Sequence, residues 1–395
     1  MSKKNVEWEW KKLGDVCEVI AGQSPKGSSY NNNEEGMEFH QGKKSFGKTI
    51  IESSGVWTSE ITKIASPEDI LISVRAPVGP VNFTDRQLCI GRGLAAIRAK
   101  HIDKKYLYLF LVYNESNMTS KTGAVFDSIS RNDIINFEIP IPPLDEQERI
   151  VKVLDDAFEK IDTIKTTVET NLQNAKDLFQ TTLANELSIT DEKIKQGWVE
   201  ESLENCCTHI VDCPHSTPKK AQRKTQYPCI RTSELRNGRI YWESMQYLDE
   251  SEYLKRISRL KPEYNDIVYG REGTFGDAVL LPNTHFFSLG QRTMLLRPDK
   301  SKISPKFMLN MIISPIVYNQ AKAKNKGCGV GHVNVGDIKQ FYLPLPPLPV
   351  QKQIVAKLDT LSEKVKQLES NYKQVLADCD ELKKALLKQA FEGML

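Results

Sequence analysis

The sequence predicts an α+β protein built from two mixed α/β modules, each followed by a long helix. Three observations carry this prediction. A proline-rich segment and the helix after it occur twice in the chain. Both copies continue into heptad-spaced apolar residues, which are typical of coiled coils. The remainder of each half consists of short β-like runs separated by turn residues.

The length and composition are those of a globular protein of two or three domains. The chain has 395 residues, of which 39% are hydrophobic and 27% are charged. No run approaches the roughly 18 apolar residues that would predict a membrane span. The start, Met1 to Asn5, has no apolar signal-peptide core. We therefore expect a cytoplasmic protein.

The repeat is clearest where proline-rich segments introduce the predicted helices. Residues 139–155 read IPIPPLDEQERIVKVLD, and residues 343–359 read LPLPPLPVQKQIVAKLD, at a constant offset of 204. A fainter match joins the two globular halves. Asp69-Ile70 and Gly79 align with Asp266-Ile267 and Gly276. The chain is therefore predicted to be a tandem duplication.

The two predicted helices carry matching heptads. Pro142-Pro143 and Pro346-Pro347 cannot lie inside a helix, so they mark where each one begins. Each tract covers roughly 33 residues, or about 50 Å of helix, and the two seams are expected to pair with each other. The predicted seam residues are Ile150, Leu154, Ala157, Ile161, Ile164, Val168, Asn171, Ala175 and Leu178 in the first copy, and Ile354, Leu358, Leu361, Val365, Leu368, Tyr372, Val375, Cys379, Leu382 and Leu386 in the second.

This pattern predicts four segments. Residues 1–144 and 191–347 form the two globular modules, and residues 145–190 and 348–395 form the helical segments that follow them. Strands are expected at Asp69–Arg75 and Asp266–Arg271, and shorter helices at Asp103–Tyr113 and Pro305–Lys322.

The charge distribution permits a polyanionic partner. The net charge is only +3, but residues 198–347 hold 21 basic residues against 15 acidic ones. Arginine, asparagine and glutamine read base edges, and lysine and arginine neutralise phosphate. The candidate contact residues are Lys26, Lys43, Lys44, Arg75 and Arg92 in the first half, and Lys219, Lys220, Arg223, Arg231, Arg271 and Arg292 in the second. Arg86 and Arg98 belong to the same wider set of basic residues that we expect on loops.

A cluster of soft ligand types leaves a metal site open. Cys206, Cys207, His209, Cys213 and His215 fall within ten positions. Their spacing differs from two separated C-x2-C knuckles, so free thiols and a histidine-bearing loop are favoured over zinc. The other cysteines, Cys328 among them, are scattered and indicate neither disulfides nor a nucleophile. No glycine-rich nucleotide or methyl-donor loop is evident, and we expect no cofactor.

The sequence resembles the specificity subunits of type I restriction–modification systems. The motifs that carry the resemblance are the two proline-rich copies with their heptads, the segment Asp69–Gly79, Gln23–Lys26 and Asp212–Pro218. The resemblance extends over nearly the whole chain.

The resemblance implies two target recognition domains related by pseudo-twofold symmetry, each reading one part of a split site in double-stranded DNA. It implies that the helices pack antiparallel as a spacer of set length. It further implies two modification subunits as partners, a restriction subunit in the full complex, and no catalysis by this chain.

Three alternatives stay open from the sequence. The chain could be a methyltransferase or nuclease with unrecognised motifs, or a coiled-coil adaptor that binds only protein. It could also serve a related system in which the methyltransferase and nuclease are fused. Neither the target sequence nor the spacer length can be read from these residues.

Overall fold

The computed structural model describes residues 8–119, 128–236, 238–273, 276–325 and 331–395. The chain divides into two compact units. Unit 1 comprises Met1–Val168 together with Lys373–Leu395, and unit 2 comprises Glu169–Tyr372. Each unit therefore contains one globular half, part of the helix that follows it, and part of the helix from the other half. No helix of the described residues is long and apolar enough to cross a membrane.

The described elements of the first half run in chain order from a short edge strand to the first long helix. They are β1 (Glu9–Lys12), α1 (Leu13–Val16), β2 (Cys17–Ala21), β3 (Tyr30–Asn31), β4 (Met37–His40), β5 (Trp57–Thr58), β6 (Ile64–Ala65), β7 (Ile70–Ser73), β8 (Val81–Phe83), β9 (Leu88–Ile90), β10 (Leu94–Ala99), α2 (Lys104–Tyr113), α3 (Arg131–Ile135), β11 (Glu138–Ile141) and α4 (Leu144–Leu187).

The first half is organised around an antiparallel sheet in the strand order β2-β10-β7-β8. Strand β7 is buried along its whole length, because its Ile-Leu-Ile-Ser sequence has apolar residues for both faces of the sheet. A second sheet has the order β3-β5-β4-β9-β6, in which β4 and β9 run parallel. Strand β1 pairs with β11 just before the first long helix begins.

The second half contains the following described elements: α5 (Asp191–Lys195), β12 (Val199–Ser202), β13 (Cys207–Asp212), β14 (Pro228–Ile230), β15 (Leu235–Arg236), β16 (Arg239–Ile240), β17 (Gln246–Tyr247), α6 (Glu250–Arg256), β18 (Ile267–Gly270), β19 (Ala278–Leu280), β20 (Ser288–Leu289), β21 (Thr293–Pro298), α7 (Pro305–Ile312), α8 (Pro315–Lys324), α9 (Val335–Lys339), β22 (Tyr342–Leu345) and α10 (Leu348–Phe391).

The second half repeats the topology of the first and confirms the predicted duplication. Its main sheet has the order β13-β21-β18-β19, which matches β2-β10-β7-β8 strand for strand. Strands β14 and β20 run parallel like β4 and β9, and β12 pairs with β22 like β1 with β11. The loops that join β7 to β8 and β18 to β19 each contain a glycine with a positive φ, +103° at Gly79 and +95° at Gly276, which side-chain-bearing residues rarely adopt.

The same ion pair braces the main sheet in both halves. The guanidinium of Arg98 donates to both oxygens of Asp69, at 2.8 Å each. Arg297 binds Asp266 in the same bidentate way, at 2.9 and 2.8 Å. Both aspartates are buried, so these are charge-assisted bonds that fix the start of β7 and β18. The expectation that Arg98 lies on a loop and faces a ligand is therefore wrong.

A buried glutamine anchors each long helix to its globular half. The Gln147 amide donates to the Pro142 carbonyl at 2.8 Å and accepts from the Asp103 N–H at 2.8 Å. Gln351 donates to Pro346 at 2.9 Å and accepts from the Ser304 N–H at 2.7 Å. Asp103 and Ser304 are the N-caps of α2 and α7. One side chain thus ties the proline-rich entry to the start of a core helix, which explains a polar residue in the repeat.

Ion pairs in each unit show that α4 and α10 run antiparallel. In unit 1, Asp162 pairs with Lys383 and Lys165 with Asp380. In unit 2, Lys176 pairs with Glu369 at 4.0 Å, and Glu186 pairs with Lys357. Positions later in α4 thus meet positions earlier in α10, which confirms the antiparallel packing. These exposed pairs specify register more than stability.

The predicted heptad seam is only partly correct. Leu154, Ile161 and Val168 are buried as expected, but Ile164 and Leu178 are 46% and 58% exposed. Leu368 and Leu382 are 39% and 49% exposed, and Asn171 is also exposed. Ala157, Leu361 and Val375 are half-buried, and so are the residues one position after each. After the exposed positions, the next residue is half-buried in place of the predicted one; these residues are Lys165, Leu172 and Phe179 in α4, and Glu369 and Lys383 in α10.

The seam shifts because the helices pack against the globular cores as well as against each other. Phe158 joins the core of unit 1, and Phe179 joins that of unit 2. Because these two phenylalanines are packed against the cores, the apolar stripe of α4 is turned toward the globular halves.

We expect Gln351→Ala to destabilise the chain by about 1–3 kcal/mol, because the Ser304 N–H and the Pro346 carbonyl lose a buried partner. Urea unfolding followed by circular dichroism measures the change. Gln353→Ala is the matched control, since Gln353 is exposed on the same turn of α10. Equal unfolding midpoints for the two variants would contradict the anchoring role of Gln351.

Candidate nucleic-acid interface

Four loops of unit 1 meet at the ends of its two sheets. They follow β2, β4, β7 and β9, and we call this surface the first edge. Backbone bonds join the loops: Gly22 donates to Leu94 at 3.0 Å, Gly91 to His40 at 2.8 Å, and Val74 to Gly93 at 3.0 Å. Loops held this closely present their side chains on one surface.

Polar side chains of the first edge form a small network beside two arginines. The Ser24 hydroxyl donates to Gln41 Oε1 at 2.8 Å and accepts from the Arg92 backbone N–H at 3.2 Å. A Cβ at Gly91 would lie 2.5 Å from Gln41 Oε1 and 2.9 Å from Phe39 Cζ, so a larger residue there would displace the Gln41 side chain from this network. Arg75 and Arg92 are exposed, and their guanidinium groups form no ion pair with any described residue. They are therefore available to an anion.

The three predicted lysines of unit 1 lie beside this edge. Lys26 is exposed just before the 3₁₀ turn Gly27–Ser29, and its backbone N–H donates to Glu60 at 3.3 Å. Lys43 and Lys44 belong to the turn Lys43–Ser45, which follows β4 after two residues. Lys44 is exposed and Lys43 half-buried. The structure thus brings all five candidates of the first half to the loop side of unit 1.

A buried carboxylate fixes the long loop after β4. Glu38 accepts from Arg86 Nε at 2.9 Å, from the Ser53 hydroxyl at 2.7 Å and from the Ser54 N–H at 2.7 Å. Burial alone would raise the pKa of Glu38, but the bonds from Arg86, Ser53 and Ser54 outweigh it and lower the pKa to about 2. The guanidinium of Arg86 is bound to Glu38 within the fold, so we do not retain Arg86 among the candidate contact residues.

Unit 2 builds the equivalent surface from equivalent loops. These follow β13, β14, β18 and β20, and we call this surface the second edge. Cys213 donates to Thr293 at 3.2 Å, Gly290 to Ile230 at 2.6 Å, and Arg271 to Arg292 at 3.0 Å. The three bonds correspond one for one to those of the first edge.

The second edge carries a chain of alternating charges. Asp212 accepts from Arg271 Nε at 3.0 Å, and Arg271 Nη1 lies 3.0 Å from Glu272 Oε1. Glu272 also lies 3.3 Å from His332 Nδ1 and 3.4 Å from Arg292 Nε. Arg271 is buried, whereas the Arg292 side chain is 55% exposed. Of the two arginines in this row of charges, Arg292 is therefore the one that an external group can reach.

Two of the predicted residues of unit 2 are engaged within the fold. Arg271 forms the ion pairs just described, and Arg231 pairs with buried Glu234 and donates to the Ser244 carbonyl at 3.0 Å. Lys219, Lys220 and Arg223 are exposed on the segment between β13 and β14, and Arg292 is exposed on the second edge. Arg231 and Arg271 thus organise the surface, and the other four are placed to contact a partner.

Sequence reasoning missed the carboxylates of the second edge. Asp212 opens the motif Asp212–Pro218, but acidic residues were not expected at a surface for a polyanion. Glu272 of the second edge occupies the position that Arg75 has in the first edge. Glu272 forms an antiparallel bridge with His332, and Arg75 forms the equivalent bridge with Ser128. Aligning the two repeats position by position at offset 197 could have found this reversal of charge.

The cysteine–histidine cluster is dispersed in the fold. Cys206 and Cys213 are buried in two different apolar clusters, while His209 and His215 are exposed. Burial raises the pKa of Cys206 to about 12, which disfavours the thiolate that zinc requires. Among the described residues no group of three histidine, cysteine or acidic side chains is arranged to hold a metal. Cys328 lies outside the described residues.

Comparison with known proteins identifies related chains along nearly the whole length. The family model described as the type I restriction modification DNA specificity domain matches residues 5–174 and 197–377. A putative type I restriction enzyme MjaX specificity subunit of Methanocaldococcus jannaschii is 41% identical over 175 residues, which are 43% of this chain and 41% of that protein. The EcoBI specificity subunit of Escherichia coli is 21% identical over 411 residues, covering 97% of this chain and 85% of that one.

Two solved structures share the fold. A chain from a study of complex assembly and conformational transition of the type I R-M system superposes with a TM-score of 0.77 at 19% identity, over the whole of both chains. The HsdS subunit from Thermoanaerobacter tengcongensis gives a TM-score of 0.60 at 19% identity, covering 100% of this chain and 99% of that one. At this identity the likeness concerns the fold.

The Glu38 anchor should make unit 1 sensitive to acid. Because the pKa of Glu38 falls from 4.5 to about 2 on folding, its stabilisation is complete above about pH 4.5 and is lost as the pH falls toward 2. We expect Glu38→Gln to be less stable than the unmodified chain at pH 7, and the difference to shrink below pH 4.5. Thermal unfolding across this range measures it.

Glu52→Gln, which changes an exposed carboxyl in the same loop, is the control and should show no such trend. A stability difference for Glu38→Gln that stays constant from pH 7 to pH 3 would refute the assignment.

Proposed function

The chain belongs to the type I restriction modification DNA specificity family, and on this premise we propose that each unit reads one half of a bipartite site in double-stranded DNA. The observation that carries the proposal is the pair of edges. They share backbone bonds and strand order but differ in side-chain chemistry. Equal scaffolds with unequal polar surfaces suit two unlike half-sites.

The chain is a specificity subunit, which selects DNA without catalysing a reaction. The candidate contacts that we retain on the first edge are Arg75 and Arg92, with Lys26, Lys43 and Lys44 beside it. On unit 2 they are Arg292, Lys219, Lys220 and Arg223. We propose that the arginines on the edges contact bases and that the lysines neutralise phosphate. Arg231 and Arg271 act indirectly, since each is bound to a carboxylate of its own unit.

We propose the functional division as residues 1–144 and 191–347 for recognition, and 145–190 and 348–395 for spacing. The helices are continuous over 44 residues each and carry antiparallel ion pairs in both units. A continuous helix pair has a length set by its residue number, at about 1.5 Å per residue. It therefore suits the task of holding the gap between half-sites constant.

Exposed apolar residues on the helices mark a docking surface for protein partners. Ile164 and Leu382 lie in unit 1, and Leu178 and Leu368 in unit 2; we call these the apolar pairs. The antiparallel register places the members of each pair at the same level of the helices. Each precedes a seam residue, so both members face the same flank, away from the ion pairs.

The two apolar pairs support two equal partners. An offset of 204 relates Ile164 to Leu368 and Leu178 to Leu382, so unit 1 and unit 2 present the same docking chemistry. We propose two modification subunits, which supply methyl transfer, as the occupants, with a restriction subunit joining the full complex. We place this assembly in the cytoplasm, where its DNA is found; the free cysteines accord with a reducing compartment.

Sequencing of methylated bases tests the proposed function. Genomic DNA from a host that expresses this chain with its modification subunit should carry one methylated motif made of two defined parts and an unspecified gap. Random methylation, or a single continuous motif, would contradict two-part reading. Methyl transfer by the purified chain alone would contradict its assignment as a non-catalytic subunit.

Shortening both helices by one heptad should shorten the gap in the motif. Deletion of residues 166–172 and 373–379 removes about 10.5 Å of each helix, or about three base pairs. It keeps the ion pairs on either side in register, since Lys165–Asp380 and Lys176–Glu369 flank the deletion. The methylated motif reports the gap directly.

The matched control deletes residues 166–172 alone, which breaks the register and should abolish two-part methylation. An unchanged gap after the paired deletion would refute the spacer role.

Glutamate at an apolar pair should remove one modification subunit. We expect the double variant Ile164→Glu, Leu382→Glu to bind one copy instead of two, because burying two carboxylates in an interface without partners is unfavourable. Leu178→Glu, Leu368→Glu should lose the other copy. Native mass spectrometry of the purified complexes gives the stoichiometry.

Lys373→Glu is the control, because this exposed residue lies on the opposite flank of α10. Two bound copies in both double variants would show that the docking surface is elsewhere.

A further inference from the structure

One loop position carries opposite charge in the two units. Arg75 of the first edge forms an antiparallel bridge with Ser128, and Glu272 of the second edge forms the same bridge with His332. The next bond is also shared, since Ile129 donates to Val74 and Val333 to Arg271, both at 3.0 Å. The backbone thus holds both side chains in the same place, and only their chemistry differs.

Glu272 is itself held in place from the interior of unit 2. Its Oε1 lies 3.0 Å from Nη1 of the buried Arg271 and 3.3 Å from His332 Nδ1. Arg271 is fixed in turn by Asp212, which accepts from Nε at 3.0 Å and from Nη2 at 3.3 Å. The carboxylate of Glu272 therefore has a defined position at the surface.

The outer oxygen of Glu272 positions Arg292. Oε2 lies 3.4 Å from Arg292 Nε, and the rest of that side chain extends into solvent with 55% of its area exposed. Nη1 and Nη2 make no hydrogen bond or ion pair with any residue in the described part of the chain. The pairing with Glu272 thus leaves the two terminal nitrogens of the guanidinium to an external ligand.

The backbone at Arg292 supports a dedicated role. Its φ is +68°, a left-handed conformation that is uncommon for residues other than glycine and is strained for a residue that bears a side chain. The corresponding residue of the first edge is Gly93, whose carbonyl accepts from Val74 as that of Arg292 accepts from Arg271. Gly93 is not left-handed, so the strained backbone belongs to the second edge alone, and it is held there with an arginine in place.

We propose that Arg292 reads a guanine of the second half-site and that Glu272 is the positioning residue for it. This inference rests on the proposed function. The N–H groups of Arg292 Nη1 and Nη2 are two parallel donors, and they match the acceptors O6 and N7 of guanine in the major groove. Because Glu272 already restricts the side chain, less conformational freedom is lost on binding, and misplaced acceptors are rejected more strongly.

The positioning applies to the second half-site alone. No described carboxylate pairs with Arg75 or Arg92, so the first edge has no equivalent of the Glu272–Arg292 contact. A DNA phosphate also offers two oxygens to a guanidinium. The experiment therefore distinguishes an Arg292 that binds phosphate from one that binds guanine.

The test compares methylated motifs made by complexes of the full chain with its modification subunit. Arg292→Ala should reduce the preference for guanine at one position of one half-site roughly 5- to 150-fold, with the other half-site and the gap unchanged. Glu272→Gln should relax the same position to a smaller extent. The double variant should match Arg292→Ala, because Glu272 acts through Arg292.

Lys300→Ala is the matched control, since this exposed cation lies beyond the far end of β21, about 20 Å of strand from Arg292. It should leave the motif unchanged. Thermal unfolding of each variant separates positioning from folding.

Three results would overturn the inference. Uniformly weaker DNA binding with a smaller salt dependence and an unchanged motif would make Arg292 a phosphate contact. A lower unfolding temperature for Glu272→Gln with an unchanged motif would make Glu272 structural only. Retention of every base preference in Arg292→Ala would remove both roles. If the unmodified complex itself produced no two-part motif, the proposed function would fail instead.

Discussion

The architecture depends on the mutual burial of the two long helices. Neither α4 nor α10 can bury its apolar stripe alone, and antiparallel pairing lets each end of one helix lie beside the other helix and a globular core. In unit 1, Phe391 at the end of α10 packs against Tyr106 and Phe110, with ring centroids 5.3 Å apart in both cases. In unit 2, Leu183 and Leu187 at the end of α4 are buried with Trp198. Each unit is thus completed by the helix of the other repeat.

The duplication preserves the groups that hold the scaffold and varies the groups on its surface. The Asp69–Arg98 and Asp266–Arg297 pairs, and the paired glutamines Gln147 and Gln351, are retained because each satisfies buried polar groups of the scaffold. At the edges such a constraint is absent, and the chemistry diverges. A surface supported by rigid strands can change its side chains without changing its backbone, which suits a protein whose target differs between its halves.

The proposed tasks of spacing and docking fall on different flanks of the helices. Ion pairs occupy one flank and set the register, while the apolar pairs on the other flank remain exposed. These leucine and isoleucine side chains are between 39% and 58% exposed, and their presence at related positions in both units supports the proposed docking of partners. The same helix pair can then both measure DNA and carry the enzymes that modify it.

The duplication, the two long helices and their beginnings were determined by the sequence alone, since proline-rich entries and heptads are local patterns. The strand topology of each half could not be read from the sequence in the same way, because strands of two to six residues are too short to show a clear alternation of apolar and polar residues. Tertiary structure alone decided which flank of the helices is buried, since Phe158 and Phe179 turn toward the cores and leave Ile164 and Leu178 outside.

Tertiary structure also decided which predicted basic residues are available to a partner. Arg75 and Arg271 look alike in the sequence as arginines that follow a buried strand. Only the fold brings Asp212 to within 3.0 Å of Arg271 and leaves Arg75 without a carboxylate among the described residues. The physical reason is that ion pairs join residues far apart in the chain, 59 positions in this case, and no local pattern records such a contact.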